Sequence, residues 1–90
     1  MLILKTTGQF RKDLKLAKKR GYKLDLLNDV LDILQAGKAL PEKFRDHSLV
    51  GQYAGFRECH IQPDWLLIYI IDNDQLVLTA VRTGTHSDLF

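Results

Sequence analysis

Ninety residues, 46% of them hydrophobic and 27% charged, suffice for one domain (residues 1–90) with a modest core and exclude extended disorder. A lone cysteine, Cys59, excludes an internal disulfide and suits a reducing compartment. The formal net charge is only +2, yet Lys5, Arg11, Lys12, Lys15, Lys18, Lys19, Arg20 and Lys23 fall in one stretch against a single acid, Asp13. A basic element on a near-neutral domain points to a polyanion met on one face. No apolar run reaches the roughly 20 residues of a membrane span, and MLILKTTGQF lacks the layout of a signal peptide. The expected location is the cytoplasm, with no membrane partner.

In chain order, Leu2–Thr6 reads as a short strand. Thr7 can cap a helix that continues over Gln9–Lys19, with Phe10, Leu14 and Ala17 on one face and the basic residues on the rest. Gly21 is placed to end it. A second helix is predicted over Leu24–Gln35, where Leu24, Leu27, Leu31 and Leu34 form a stripe widened by Leu26, Val30 and Ile33. Gly37 and Pro41 stop it, and residues 38–54 read as loop. The period then changes to two. Gly55–Ile61 alternates, with Phe56, Glu58 and His60 on one face and Arg57, Cys59 and Ile61 on the other. Trp65–Ile71 is an apolar run suited to a central strand, and Gln75–Val81 is the next strand after the Asp72-Asn73-Asp74 turn. The order β-α-α-β-β-β predicts an α+β fold: an antiparallel sheet, with the first strand added to the meander, two N-terminal helices packed on one face and the other face open.

The chemistry concentrates in the second half. The three histidines are His47, His60 and His86; Asp64 follows His60 by a turn, and Arg82 precedes His86 by four residues. If the strands bearing His60 and Arg82 border the open face, His60, Asp64, Arg82 and His86 converge there. Metal-free RNA cleavage needs a base for the ribose 2′-hydroxyl, an acid for the departing 5′-oxygen and a cation for the phosphorus-centred transition state. Histidine suits the first two tasks, arginine the third, and a carboxylate can orient a histidine. A metal site is the weaker reading of the same residues. Cys59 and His60 are adjacent on a strand and point to opposite faces, and no paired-ligand spacing occurs. Trp65 and Phe56 read as core at least as readily as base-stacking platforms, and Phe90 either docks in the core or stacks on a base.

Three blocks, in order, carry a family resemblance: Asp46-His47-Ser48-Leu49; His60-Ile61-Gln62-Pro63-Asp64-Trp65; and Arg82-Thr83-Gly84-Thr85-His86-Ser87-Asp88-Leu89-Phe90. Jointly, over essentially the whole chain, they resemble YafQ-like toxins of the RelE superfamily. The resemblance implies the RelE-like microbial ribonuclease-type fold and a toxin of a type II toxin–antitoxin system. It implies cleavage of mRNA in the ribosomal A site, with neither metal nor cofactor. It implies catalytic roles for His47, His60, Asp64, Arg82 and His86: His86 as acid, Arg82 as phosphate clamp, His60 or His47 as base, and Asp64 orienting or touching substrate. Trp65 and Phe90 would hold the nucleotide, and Lys12, Lys15, Lys18 and Lys19 would meet ribosomal RNA. The implied partner is a DinJ-like antitoxin with a ribbon-helix-helix domain, so that operator DNA is contacted only indirectly. Glu58-Cys59 stands where relatives carry Asp-Ala, which bears on codon preference more than on activity. Two other readings compete: a non-catalytic RNA- or ribosome-binding module, indifferent to the histidines, and an antitoxin-bound transcriptional co-repressor.

Overall fold

Thr7 opens the first helix. Its hydroxyl accepts the Phe10 N–H at 2.9 Å and donates to the Val81 carbonyl at 2.7 Å, so the cap also ties the helix to the sheet. In this computed structural model, which describes residues 1–90, α1 spans Gly8–Lys19 and α2 spans Leu24–Gln35. Gly21 lies at φ 80°, and the N–H groups of Gly21 and Tyr22 donate to the Lys18 and Ala17 carbonyls, both at 3.1 Å. That left-handed turn needs glycine and satisfies carbonyls the helix leaves open. α2 buries Leu27, Val30, Leu31 and Leu34, the centre of its predicted stripe. α1 buries Phe10 and Ala17, and also Asp13 at 8% exposure; an acid on the inner face was not anticipated.

The strands are β1 (Ile3–Thr6), β2 (His47–Ser48), β3 (Arg57–Gln62), β4 (Trp65–Asp72) and β5 (Val77–Gly84), in the sheet order β1-β5-β4-β3-β2. β3, β4 and β5 form the expected antiparallel meander. β1, however, pairs with β5 in parallel, so the sheet is mixed rather than antiparallel throughout. A parallel neighbour needs a long connection, and the two helices plus the meander supply it. Residues 38–54 are more ordered than a loop. They hold two single 3₁₀ turns, Glu42–Phe44 and Gly51–Tyr53, with β2 between them. Asp46 pins this segment by accepting from the Arg57 guanidinium (3.2–3.3 Å) and the Tyr69 hydroxyl.

Both helices lie on one sheet face, over Cys59, Ile61, Trp65, Leu67, Tyr69, Leu78 and Ala80. Burial there pushes the Cys59 thiol up to about 12, so it is a packing residue rather than a reactive one. The opposite face is not open, as expected, but half covered. Leu66, Ile68 and Leu89 pack there with Leu49, Tyr53, Phe56 and Val81. Apolar area left in water costs about 25 cal/mol per Å², and the 49–56 segment and the chain end close over it. The strip left uncovered carries the histidines.

The chain end forms a one-turn helix, α3 (His86–Leu89), with a capping box between Thr85 and Asp88. Arg20 at the end of α1 clamps Asp88 at 2.6 and 3.2 Å. Gly84 is required for this packing, since a Cβ there would lie 2.9 Å from Asp88 Oδ2 and 3.0 Å from its Cβ. The Arg20 guanidinium, helped by the Thr85 N–H, holds the Asp88 carboxyl well below the usual carboxylate range. A carboxyl depressed on folding contributes stability above its unfolded pKa of about 4 and loses that contribution as pH falls toward the folded value. Asp88→Asn should therefore lower Tm modestly at pH 7 and flatten the fall of Tm below pH 4. Thermal unfolding followed from pH 7 to 2 checks both.

Candidate active site

Strand pleating places the first two histidines. On β3, Cys59 and Ile61 turn toward the helices, and Glu58 and His60 turn away. β2 then sets His47 opposite Glu58. Arg82 reaches the same face by an irregularity. Leu78 and Ala80 face the helices, and strict alternation would send Arg82 there too. But Ile68 is paired with Arg82, whereas Tyr69 is paired with Ala80, leaving Val81 as an extra residue. This bulge returns Arg82 to the face of its cross-strand neighbour Ile68.

The rings form a row. Centroids are 6.2 Å apart for His47–His60, 5.7 Å for His60–His86, 6.5 Å for His86–Phe90 and 5.6 Å for Phe90–Tyr53. Each imidazole is oriented by an acceptor at Nδ1. His47 meets the Arg45 carbonyl at 2.7 Å, His60 the Pro63 carbonyl at 3.3 Å, and His86 the Asp64 carboxylate at 2.8 Å. Carbonyls and carboxylates only accept, so Nδ1 carries the hydrogen in all three and Nε2 is the working nitrogen. Asp64 also accepts the backbone N–H of His86 at 3.0 Å. Those two bonds, the backbone one foremost, lower the Asp64 pKa and keep it a carboxylate. Glu58, 4% exposed, brings Oε1 to 3.5 Å from Nε2 of both His47 and His60.

Arg82 is already held. Its Nε and Nη2 donate to the two oxygens of Asp13, both at 3.0 Å, and the Thr83 N–H adds a third bond to Asp13 at 3.2 Å. The Asp13 hydrogen bond chiefly, with a smaller part from Tyr53, raises the guanidinium pKa. A guanidinium has five N–H donors and Asp13 takes two, so three remain for a phosphate. Asp13 thus orients the group without exhausting it.

Comparison with known proteins places the chain in a family. The family model described as a bacterial toxin of type II toxin–antitoxin system, YafQ, matches residues 2–90. The chain belongs to the YafQ family. The curated "mRNA interferase toxin YafQ" of Escherichia coli K12 is 42% identical over 85 residues, covering 93% of this chain and 90% of that protein. Mature structural likeness extends over the whole fold. A metal-bound toxin from Helicobacter pylori is 44% identical with a TM-score of 0.94, each chain wholly covered. YafQ from the E. coli DinJ–YafQ complex is 37% identical with a TM-score of 0.90, over 100% of this chain and 99% of that one. This YafQ-family chain is accordingly a toxin of a type II system and of the mRNA interferase, that is endoribonuclease, class.

Within the YafQ frame, the structure brings His47, His60, Asp64, Arg82 and His86 to one face and corrects the nucleotide-binding expectation for Trp65. Its side chain is 1% exposed on the helix side, tilted against Tyr22 at 4.9 Å, with the indole N–H bonded to Thr83 Oγ1 at 2.9 Å. The register makes the reason plain: the residue before Leu66 points away from His60. Trp65→Phe should cost about 1 kcal/mol for the lost hydrogen bond and leave RNA cleavage intact; Tm and a cleavage assay together test it. Phe90 is 64% exposed, while Leu89 beside it docks at 5%, so the terminal ring is free beside His86. Lys12, Lys15, Lys18 and Lys19 are exposed on α1 and form no ion pair. Sequence reasoning missed Asp13 and Tyr53 as site residues. Asp13 had a signal, as the one acid in the basic stretch; Tyr53 had none.

Proposed function

We propose that this toxin cleaves mRNA on the ribosome, in the A site, by acid–base catalysis without a metal. The observation that carries the reading is the row of three Nδ1-anchored imidazoles on the face that also carries Arg82. His60 stands between His47 and His86, and its Nε2 accepts the 2′-hydroxyl proton. The 2′-oxygen attacks the adjacent phosphorus, and the P–O5′ bond breaks. His86 acts as the imidazolium, its Nδ1–H held by the Asp64 carboxylate, and gives its Nε2 proton to the departing 5′-oxygen, leaving a 2′,3′-cyclic phosphate and a 5′-hydroxyl end. The free donors of Arg82 meet the phosphate oxygens where negative charge grows. His47 supports His60 through Glu58, Asp64 holds the acid in place, and Phe90 offers its face to a base. The exposed lysines of α1 contact ribosomal RNA by charge alone. The YafQ relative solved with DinJ supports a DinJ-like antitoxin as the neutralising partner; in this reading operator DNA is reached only through that antitoxin, and the place of action is the cytoplasm.

Mapping 5′ ends of mRNA after induction tests the reading. New ends locked to the reading frame, within translated regions and absent from untranslated RNA, are expected. Arrest of translation with no new ends would instead favour a non-catalytic ribosome-binding module.

A further inference from the structure

β2 pairs with β3 only at Arg57 and Glu58, so the stretch His60–Gln62 has no strand beyond it. The gap between that stretch, α2 and the Glu42–Phe44 turn is a cleft of about 430 Å³, within the size range of small-molecule sites. Leu26, Phe44 and Ile61 give it apolar surface, and His60 lines it too, so it opens directly beside the assigned base. Lys43 and Arg45 stand at it as two exposed cations, and neither enters an ion pair. The Lys43 ammonium rests 5.1 Å from the centre of the Phe44 ring. Of the five arginines, Arg45 alone makes no side-chain hydrogen bond; Arg11, Arg20, Arg57 and Arg82 are all held. Yet the Arg45 backbone is tightly set. It lies at φ 49°, a left-handed conformation that a residue with a Cβ rarely adopts, and its carbonyl is the acceptor that anchors His47 Nδ1 at 2.7 Å. One residue thus orients a ring of the histidine row with its backbone and leaves an uncommitted guanidinium at the cleft. The only acid of the lining, Asp29, comes from α2, and Gln62 adds an amide.

We propose that this cleft is the subsite for the nucleotide on the 5′ side of the cut, with its base against Asp29 and Gln62 and its 5′-phosphate on Lys43 and Arg45. The polarity rests on the catalytic reading above. His86 and Phe90 follow His60 in the ring row, on the side of the departing 5′-oxygen, and neither lines the cleft. The ribose whose 2′-hydroxyl meets His60 therefore belongs to the nucleotide that the cleft can take. Free Lys and Arg side chains suit a phosphate, Arg by its paired donors and Lys as a point charge. A carboxylate only accepts, so Asp29 favours a base with an exocyclic amino group, that is adenine, cytosine or guanine over uracil.

NMR titration of the full-length protein at low salt tests the subsite, with 2′-deoxyadenosine 3′-phosphate and 2′-deoxyadenosine 3′,5′-bisphosphate as probes. The added 5′-phosphate should tighten binding by about tenfold, shift the amide signals of Phe44, Arg45 and Gln62, and lose its advantage as salt rises. The double variant Lys43→Gln, Arg45→Gln should bind both probes alike, with the parent's affinity for the 3′-phosphate and the parent's Tm, because neither side chain has a partner in the fold. An undiminished gain in that variant, or no binding of the bisphosphate to the parent at millimolar concentration, overturns the subsite. Among the four bisphosphates, deoxyuridine should bind about fivefold or more weakly than the others, and Asp29→Asn should narrow the gap, since an amide also donates. Equal affinity of the parent for all four overturns the base contact with Asp29. The probes lack the scissile P–O5′ bond, so the titration stands apart from cleavage. A protein that binds them as described yet produces no new mRNA ends fails the catalytic reading and keeps the cleft as a nucleotide site.

Discussion

His86→Ala should lower RNA cleavage by about 10²–10⁴-fold, the usual worth of a placed proton donor, and should abolish growth inhibition while leaving the protein folded. The ring can be lost safely because its side chain is 55% exposed and does not support the core. The backbone N–H of His86 still reaches Asp64, and the Thr85–Asp88 box still closes α3. The catalytic loss has a specific cause. The leaving 5′-oxygen departs as a poor, strongly basic anion unless a proton arrives during bond cleavage, and no other side chain along the ring row carries an anchored donor on that side of His60. Asp64→Asn should be milder, roughly tenfold, since an amide oxygen can still accept from Nδ1 but without charge. Rates of 5′-end formation together with thermal unfolding of each variant decide the matter. A His86→Ala protein as toxic as its parent would remove His86 from the acid role.

Arg82→Ala should damage function and fold together. Loss of the donors facing the phosphate is expected to cost about 10²–10³-fold in cleavage. Removal of the guanidinium also strands Asp13, 8% exposed, with only the Gln9 amide and the Thr83 N–H as partners. An uncompensated, mostly buried carboxylate costs about 2–3 kcal/mol once the partial exposure of Arg82 is allowed for. For a domain of this size that lowers Tm by about 10–20 °C. The two losses separate in a double variant. Asp13→Asn combined with Arg82→Ala removes the stranded charge, so Tm should recover most of the fall while cleavage stays lost. Arg82→Lys should fail as well, because a single ammonium cannot hold Asp13 bidentately and still present donors to a phosphate. Recovery of cleavage in the double variant would show that Arg82 acts only as a structural partner of Asp13.

Local pattern was enough for most of the scaffold. Periodicity alone placed the two long helices, the Gly21 stop and the three-strand meander, because each depends on residues a few positions apart. Alternation alone put His60 and Glu58 together and Cys59 opposite them, because a strand has no other choice. The family blocks marked the histidines, Asp64 and Arg82, yet they could not say how these meet. That Trp65 belongs to the core rather than to a nucleotide follows from which side of β4 faces α2 and Tyr22, a matter of layers and not of spacing. The bulge at Val81, which turns Arg82 to the histidine face, arises from the pairing of β4 with β5 and leaves no mark in either strand by itself. The same holds for β2, a two-residue strand defined only by its partner. The three histidines and Arg82 of the candidate site were legible in the chain as residues. Their arrangement was decided by contacts between residues far apart in sequence: Asp13 on Arg82, Asp64 on His86, and Glu58 between His47 and His60.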